Sequence, residues 1–218
     1  MEYTKPAEIE RESMAIIERE LAERGVTLPP EQATVVKRVI HTTADFDYAE
    51  TLRFTVGAVQ KGMEALRGGV IVTDTNMALA GINKSAAGKL GCTVCCYMAD
   101  DAVAAEARVR GVTRAMVSME RALAEHPNAI FALGNAPTAL LKIAESIEMG
   151  ARPALVIGVP VGFVNVVESK ERALAVCERC GVPAIIALGR KGGSNVAAAI
   201  CNALLYTASG QLDPEQRG

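Results

Sequence analysis

Tryptophan is missing from this 218-residue chain, and phenylalanine and tyrosine occur four times each. Half of the residues are nonetheless hydrophobic, so the interior has to be built from Ala, Val, Ile and Leu rather than around rings. Histidine is nearly as scarce, with only His41 and His126. No apolar run reaches the roughly 20 residues of a membrane span. The opening, with Glu2, Lys5 and Glu8 close behind Met1, does not read as a signal peptide. The expectation is a cytoplasmic protein that stays out of the membrane. A large excess of one charge is absent too. A net charge of −2 gives no global attraction to nucleic acid, and any anion site has to be local.

Cysteine is present, six times, and Cys92/Cys95 and Cys177/Cys180 both have the C-x-x-C spacing of zinc sites. Their contexts argue for something plainer. Residues 92–98 read as a buried strand, in which alternation sends Cys92 and Cys95 to opposite faces. Cys177 and Cys180 close a helical run without a glycine-rich knuckle. The expectation is free, reduced thiols and no metal.

The chain opens with two amphipathic helices. Pro6 suits a first turn, and Ile9, Ser13, Ile16, Ile17 and Leu21 then recur at helical spacing as far as Gly25. A second helix starts at Leu28-Pro29-Pro30 and turns Ala33, Val36, Val39 and Ile40 inward. Residues 45–55 are mixed in character, and a third helix covers about 56–66. Strand and helix then alternate. Val70–Asp74 is a short β-branched run followed by a polar turn and a small helix, and residues 92–98 form the second strand. Helices follow at 102–110 and about 113–125. One unit then repeats three times. Apolar runs at 129–133, 154–158 and 184–188 each lead through a glycine-bearing loop into a helix. Such runs, alternating with helices, mark a parallel sheet covered on both faces. The expected architecture is a three-layer α/β/α fold with a mostly parallel sheet, the N-terminal helices covering the site. Residues 1–210 read as a single domain, with a frayed polar tail at 211–218.

In such sheets ligands sit beyond the carboxyl ends of the strands. There the loops 134–138, 158–163 and 189–194 have to converge. Each is expected to leave backbone N–H groups open at a helix start, which suits phosphate or carboxylate. Arg38, Arg114, Arg190 and Lys191 would add charge for a ligand with several anionic groups. The loop Gly189-Arg190-Lys191-Gly192-Gly193-Ser194 is not a P-loop, because Lys and Ser do not stand together after its last glycine. Nor does a G-x-G-x-x-G follow the first strand, which argues against a nicotinamide site.

His41 stands where the second helix runs out, among Arg38, Thr42, Thr43 and Asp45. Arg38 precedes it by three residues and shares its helix face. Its unperturbed pKa near 6.5 lets it exchange a proton at neutrality, although a helix-end histidine touching the last carbonyls is the plainer reading of this stretch alone. Ser13 is open to two readings as well, as a ligand contact or as a hydroxyl bonded back to its own helix.

Taken together, Glu10–Ile17, the Arg38/His41 pair, Gly134–Leu140, Gly158–Phe163 with Glu168-Ser169-Lys170, and Gly189–Ser194 resemble the precorrin-8X methylmutases and their cobalt-precorrin-8 counterparts. The resemblance runs from about residue 3 to 205. It implies a parallel-sheet α/β homodimer with no organic cofactor, which moves a methyl group from C-11 to C-12 of a carboxylate-rimmed corrin-type macrocycle to give hydrogenobyrinate or cobyrinate. It places the catalytic histidine on His41, a substrate-contacting serine on Ser13 and substrate arginines on Arg38 and Arg114. Asn135, Gly162, Arg190, Lys191, Gly192, Gly193 and Ser194 would hold the rim of the macrocycle. Thr42, Thr43 and Asp45 vary within the family and carry over poorly, and His126 is left structural. A methyl shift of this kind needs a protonated conjugated system held in one conformation, which fits one acid and several anion contacts. Two other classes fit the loops alone: an enzyme acting on a nucleotide or sugar phosphate, and a tetrapyrrole carrier without catalysis.

Overall fold

Two prolines start two helices. Pro6 and Pro30 occupy first-turn positions, where the missing N–H would have had no partner, and open α1 (Pro6–Glu23) and α2 (Pro30–Thr43). The computed structural model describes residues 5–217. Residues 1–4, which carry the opening read above as no signal peptide, and Gly218 of the tail lie outside the described residues. After α2, whose end is marked by Ala44 in the left-handed conformation (φ 53°), a turn of helix, α3 (Tyr48–Thr51), leads into β1 (Leu52–Phe54) and α4 (Ala58–Ala65). The chain continues through β2 (Val70–Thr73), α5 (Asn76–Gly81), α6 (Lys84–Lys89), β3 (Thr93–Cys95), α7 (Asp101–Arg110) and α8 (Arg114–Glu125). Three strand–helix units complete it: β4 (Ile130–Leu133) and α9 (Pro137–Glu148), β5 (Leu155–Gly158) and α10 (Val166–Cys180), β6 (Ala184–Ala187) and α11 (Ser194–Ala208).

The six strands lie in the order β1-β6-β5-β4-β2-β3. All neighbours are parallel except β1, which runs antiparallel along β6 at the edge, Leu52 opposite Ala187. β4, β5 and β6 are buried at every position, as strands covered on both faces are. Their alternation divides the core in two. Ile71, Ile130, Ile157 and Ile185 face the side of α2, α4 and α11, while Val72, Phe131, Val156 and Ile186 face α8, α9 and α10. An apolar α11 follows from its place. It lies between the sheet and α2, with Val196–Cys201 and Ala203–Tyr206 buried, so no polar face is needed. α1 packs in turn on α2.

The sequence reading departs from this at four places. β1 was hidden in the mixed stretch because three residues with one half-buried and one exposed side chain show no usable alternation. The small helix after Asn76 is two, since Asn83 interrupts it and its side chain caps α6 by accepting from the Ala86 N–H at 2.9 Å. The strand at 92–98 is shorter, at Thr93–Cys95, although Cys92 and Cys95 do face opposite cores. The polar tail is not frayed: a 3-10 turn, Pro214–Arg217, folds back on α1. All six cysteines are free thiols. No helix of the described residues is long and apolar enough to cross a membrane.

Candidate active site

The parallel strands carry their loops to one edge, and there the loops bind one another. The strand order reverses between β2 and β4, the crevice where sheets of this kind usually take an anion. Here the chain fills that crevice with its own carboxylate. Asp74, fully buried, accepts the N–H groups of Gly134, Asn135 and Ala136 at 2.9, 2.8 and 2.8 Å. Burial pushes its pKa up against the pull of those three donors. The expectation that this loop leaves its N–H groups open is therefore not met.

The other two loops are tied to each other through one N–H apiece, and the first N–H groups of α11 are not taken up by backbone or side chains among the described residues. The Gly193 N–H donates to the Val159 carbonyl at 2.9 Å and the Gly162 N–H to that of Arg190 at 3.3 Å. A Cβ on Gly192 would stand 2.1 Å from the Val159 oxygen, and one on Gly134 would stand 2.7 Å from the Ser194 Cα; both glycines are needed for backbone approach. Lys170, fully buried in α10, donates to the carbonyls of Gly189 at 2.8 Å and Lys191 at 2.7 Å. Burial lowers its pKa to about 8. The Ser194 and Thr75 hydroxyls are 2.8 Å apart. The Lys191 ammonium reaches Asp45 and Asp47, both at 2.6 Å, just beyond the end of α2. That pair ties the third loop to the helix of His41.

His41 is half-buried in a groove between α1 and α2 that Ser13, Glu20, Arg24 and Phe46 also line. Burial lowers the imidazole pKa below its ordinary value. The nearby Arg38 and Arg217 act in the same direction, and Glu10 acts against them. Arg38 is bound to Glu10 at 2.6 Å. Burial raises the Glu10 carboxyl, but the bonds from Arg217 and Arg38 bring its pKa below the usual value. The Ser13 hydroxyl donates to the Ile9 carbonyl at 2.8 Å. Thr42 and Thr43 do the same within α2, to Arg38 and Val39.

Arg114 and Asn135 stand apart from this groove. Arg114 opens α8, which packs on α7 and α9 across the sheet from α2. It is exposed and forms no ion pair among the described residues. Thr113 and Thr138, 3.0 Å apart, set the start of α8 beside the Gly134 loop and its exposed Asn135. Arg190, also exposed, lies 5.6 Å from the centre of the Phe163 ring. Phe163 and Val164 are 83% and 77% exposed, an apolar tip between Gly162 (φ 150°) and Asn165 (φ 56°). The chain thus offers a half-buried imidazole, separate guanidinium groups and an apolar loop tip. That set can hold a large anionic ligand and exchange one proton with it.

Sequence reasoning gave no role to Asp74, Lys170, Glu10, Tyr206 or Arg217. A signal existed for one of them. Lys170 occupies an inward position of α10, in line with Val166, Ala173 and Cys177, and a charge in an apolar stripe marks a special partner. His126 is half-buried, its ring centre 6.4 Å from that of Tyr97.

Residues 8–207 match the family described as Precorrin-8X methylmutase. A cobalt-precorrin-8 methylmutase of Salmonella typhimurium is 45% identical over 207 residues, covering 93% of this chain and 95% of its own. A precorrin-8X methylmutase of Pseudomonas aeruginosa is 39% identical, covering 90% and 93%. The crystal structure of the Thermus thermophilus precorrin-8x methyl mutase superposes with a TM-score of 0.84 at 41% identity, over 94% of this chain and 98% of that one.

Proposed function

The chain belongs to the precorrin-8X methylmutase family, the methyl-shifting isomerases of cobalamin biosynthesis, and from that premise we propose that His41 is its acid/base group for moving a methyl from C-11 to C-12 of the macrocycle. The observation that carries this reading is a half-buried imidazole at the end of α2, in a groove with Ser13 and close to Arg38. His41 lends a proton to the conjugated system. The C-11–methyl bond breaks as the C-12–methyl bond forms, and the proton returns, so no atom is gained or lost. Before substrate binds, the lowered pKa favours the neutral imidazole. Substrate carboxylates entering the groove favour the charged form and raise that pKa, so the proton is taken up where it is used. General acid catalysis of this kind supplies roughly 10²–10⁴-fold.

Ser13 and Arg38 contact the substrate on the His41 side. Arg114, Asn135, Gly162, Arg190, Lys191, Gly192, Gly193 and Ser194 serve its rim. Arg114 and Arg190 are the exposed cations of this set that form no ion pair among the described residues, Lys191 being exposed but paired with Asp45 and Asp47, whereas the glycines shape the rim. The Phe163–Val164 tip suits a flat conjugated face. The nucleotide alternative is disfavoured, because Asp74 occupies the crevice a phosphate would use. Relatives of both names match, and the methyl shift leaves the macrocycle's centre untouched, so metal-free and cobalt-containing substrates both fit the reading. Six free cysteines suit a reducing, cytoplasmic setting.

Single-turnover absorbance on His41→Ala tests the assignment. The variant is expected to bind the macrocycle and leave it unisomerised, and conversion at near the wild-type rate would remove His41 from the mechanism. A tetrapyrrole carrier would be indifferent to the change.

The working unit in this reading is a homodimer. Ile9 and Ile16, 52% and 36% exposed, form an uncovered apolar stripe on α1, and His41 and Arg114 sit on opposite sides of the sheet. An obligate interface buries at least about 2,000 Å². Sedimentation is expected to find a dimer down to low micromolar protein, and a fully active monomer would overturn the shared-site picture.

A further inference from the structure

The family match stops at residue 207, but the chain beyond it returns to α1 and α2, where Leu212, Asp213 and Pro214 line a cavity with Glu10, Arg11 and Arg38, one helical turn from His41 on α2. Gln211, 3% exposed, donates its N–H to the Tyr206 carbonyl at 2.8 Å. The turn Pro214–Arg217 is held to α1 by Arg11, which pairs with Asp213 at 3.3 Å and Glu215 at 2.7 Å. Arg217 then points inward. Its side chain is 10% exposed, its Nη1 lies 2.5 Å from Glu10 Oε1, and its guanidinium is 4.0 Å from the centre of the Tyr206 ring. The same Glu10 oxygen accepts from Arg38 at 2.6 Å, and Arg38 lies 5.5 Å from the same ring. One carboxylate oxygen and one phenol ring therefore fix two guanidinium groups.

We propose that Arg217 is a positioning residue for this enzyme, brought back by the C-terminal turn to fix Glu10 and, through Glu10, the Arg38 guanidinium beside His41. The proposal rests on the reading of His41 as the acid. Two cations share one anion at this point, so the cluster keeps a net positive charge, which disfavours a second positive charge on the imidazole. The pKa of His41 is lowered first by burial, with Arg38 and Arg217 adding to it and Glu10 opposing. The charged groups that line the groove of His41 itself, Glu20 of α1 and Arg24 just past its end, are 3.6 Å apart and offset each other. Asp45, beyond the helix end, is paired with Lys191. Arg217 is thus the cation of the cluster that comes from outside the matched part of the chain.

With two histidines in the chain, an NMR titration of histidine-labelled full-length protein reads His41 directly, and His126, beside Tyr97, serves as the internal control. In substrate-free Arg217→Met the His41 pKa is expected to move upward from its wild-type value while His126 stays in place. Arg217→Lys, which keeps the charge, is expected to restore most of the shift. Arg217→Gln gives the same comparison should the Met variant fold poorly. A merely structural turn would lower the yield of folded protein without moving one histidine. Unchanged His41 titration in folded Arg217→Met and Arg217→Gln would overturn the proposal. Because the titration is read without substrate, it fails or succeeds separately from the turnover of His41→Ala.

Discussion

The rim of loops and the α1–α2 groove face the same ligand in this reading, yet they are built in opposite ways. At the rim, backbone groups bond to other parts of the chain. Asp74 takes three N–H groups, Lys170 takes two carbonyls, and Gly192 and Gly193 lie against Val159. Beside the groove, side chains bond to side chains at largely buried positions, as Glu10 does with Arg38 and Arg217. A rim of this kind has a fixed shape, and where Asp74 has taken the N–H groups of the Gly134 loop the grip on carboxylates has to come from exposed cations such as Arg114. A groove of this kind can change its charge state with little movement of backbone. In the proposed mechanism, shape and protonation thereby fall to different regions of one site.

The strongest way to break that division is to remove the anion that organises the rim. Asp74→Asn keeps one acceptor oxygen for three N–H donors and replaces the other with donors of its own. Leaving buried donors without partners costs about 1–3 kcal/mol each, so denaturant unfolding is expected to show a loss of about 3 kcal/mol. A loss below about 1 kcal/mol would mean that Asp74 does not organise the loops. The second test addresses the exposed cations. Arg114→Ala is expected to weaken macrocycle binding by about 1.5–3 kcal/mol, the worth of a charge-assisted bond, with little change in the rate of the bound complex. An unchanged dissociation constant would place Arg114 outside the site.

The smallest effect concerns the buried cation of the rim. Lys170 has its pKa lowered to about 8 by burial, below the ordinary value near 10.4 of an unfolded chain. Above pH 8 the unfolded chain therefore binds more protons than the folded one, and stability from this group rises with pH until the unfolded value is passed. Compared with Lys170→Met, the wild type is expected to gain about 1 kcal/mol between pH 8 and 9 in paired unfolding experiments. A constant difference between the two across that range would show that Lys170 is not held in a proton-disfavouring place.

The parts of the fold that could be read from the residues were those with a local signature. The runs 129–133, 154–158 and 184–188 are apolar without interruption, short, and followed by glycine-bearing turns, which together mark strands buried on both faces. β1 escaped because an edge strand of three residues has no pattern to show. Of the proposed site, the position of His41 at the end of a helix was legible, as were the glycine loops. Their state was not. The loop Gly134–Ala136 carried the marks of an anion site, and the structure does place an anion there, supplied by Asp74 from 60 residues earlier in the chain. Lys191 looked like an open cation and is paired with Asp45 and Asp47. Composition and spacing report which groups exist, and pairing depends on what the fold brings within about 3 Å of them.

The sequence by itself determined the alternation of strand and helix, the aliphatic core that replaces aromatic packing, the convergence of three glycine loops, and the methylmutase family. These follow from periodicity, side-chain volume and ordered motifs, which are written along the chain. The tertiary structure alone decided that the crevice between β2 and β4 is already filled, that Lys170 clamps the loop behind it, and that the polar tail turns back to Glu10 across 207 residues. Charges far apart in sequence acquire partners only when burial of the core has set their distances, because an ion pair is selected by proximity and desolvation.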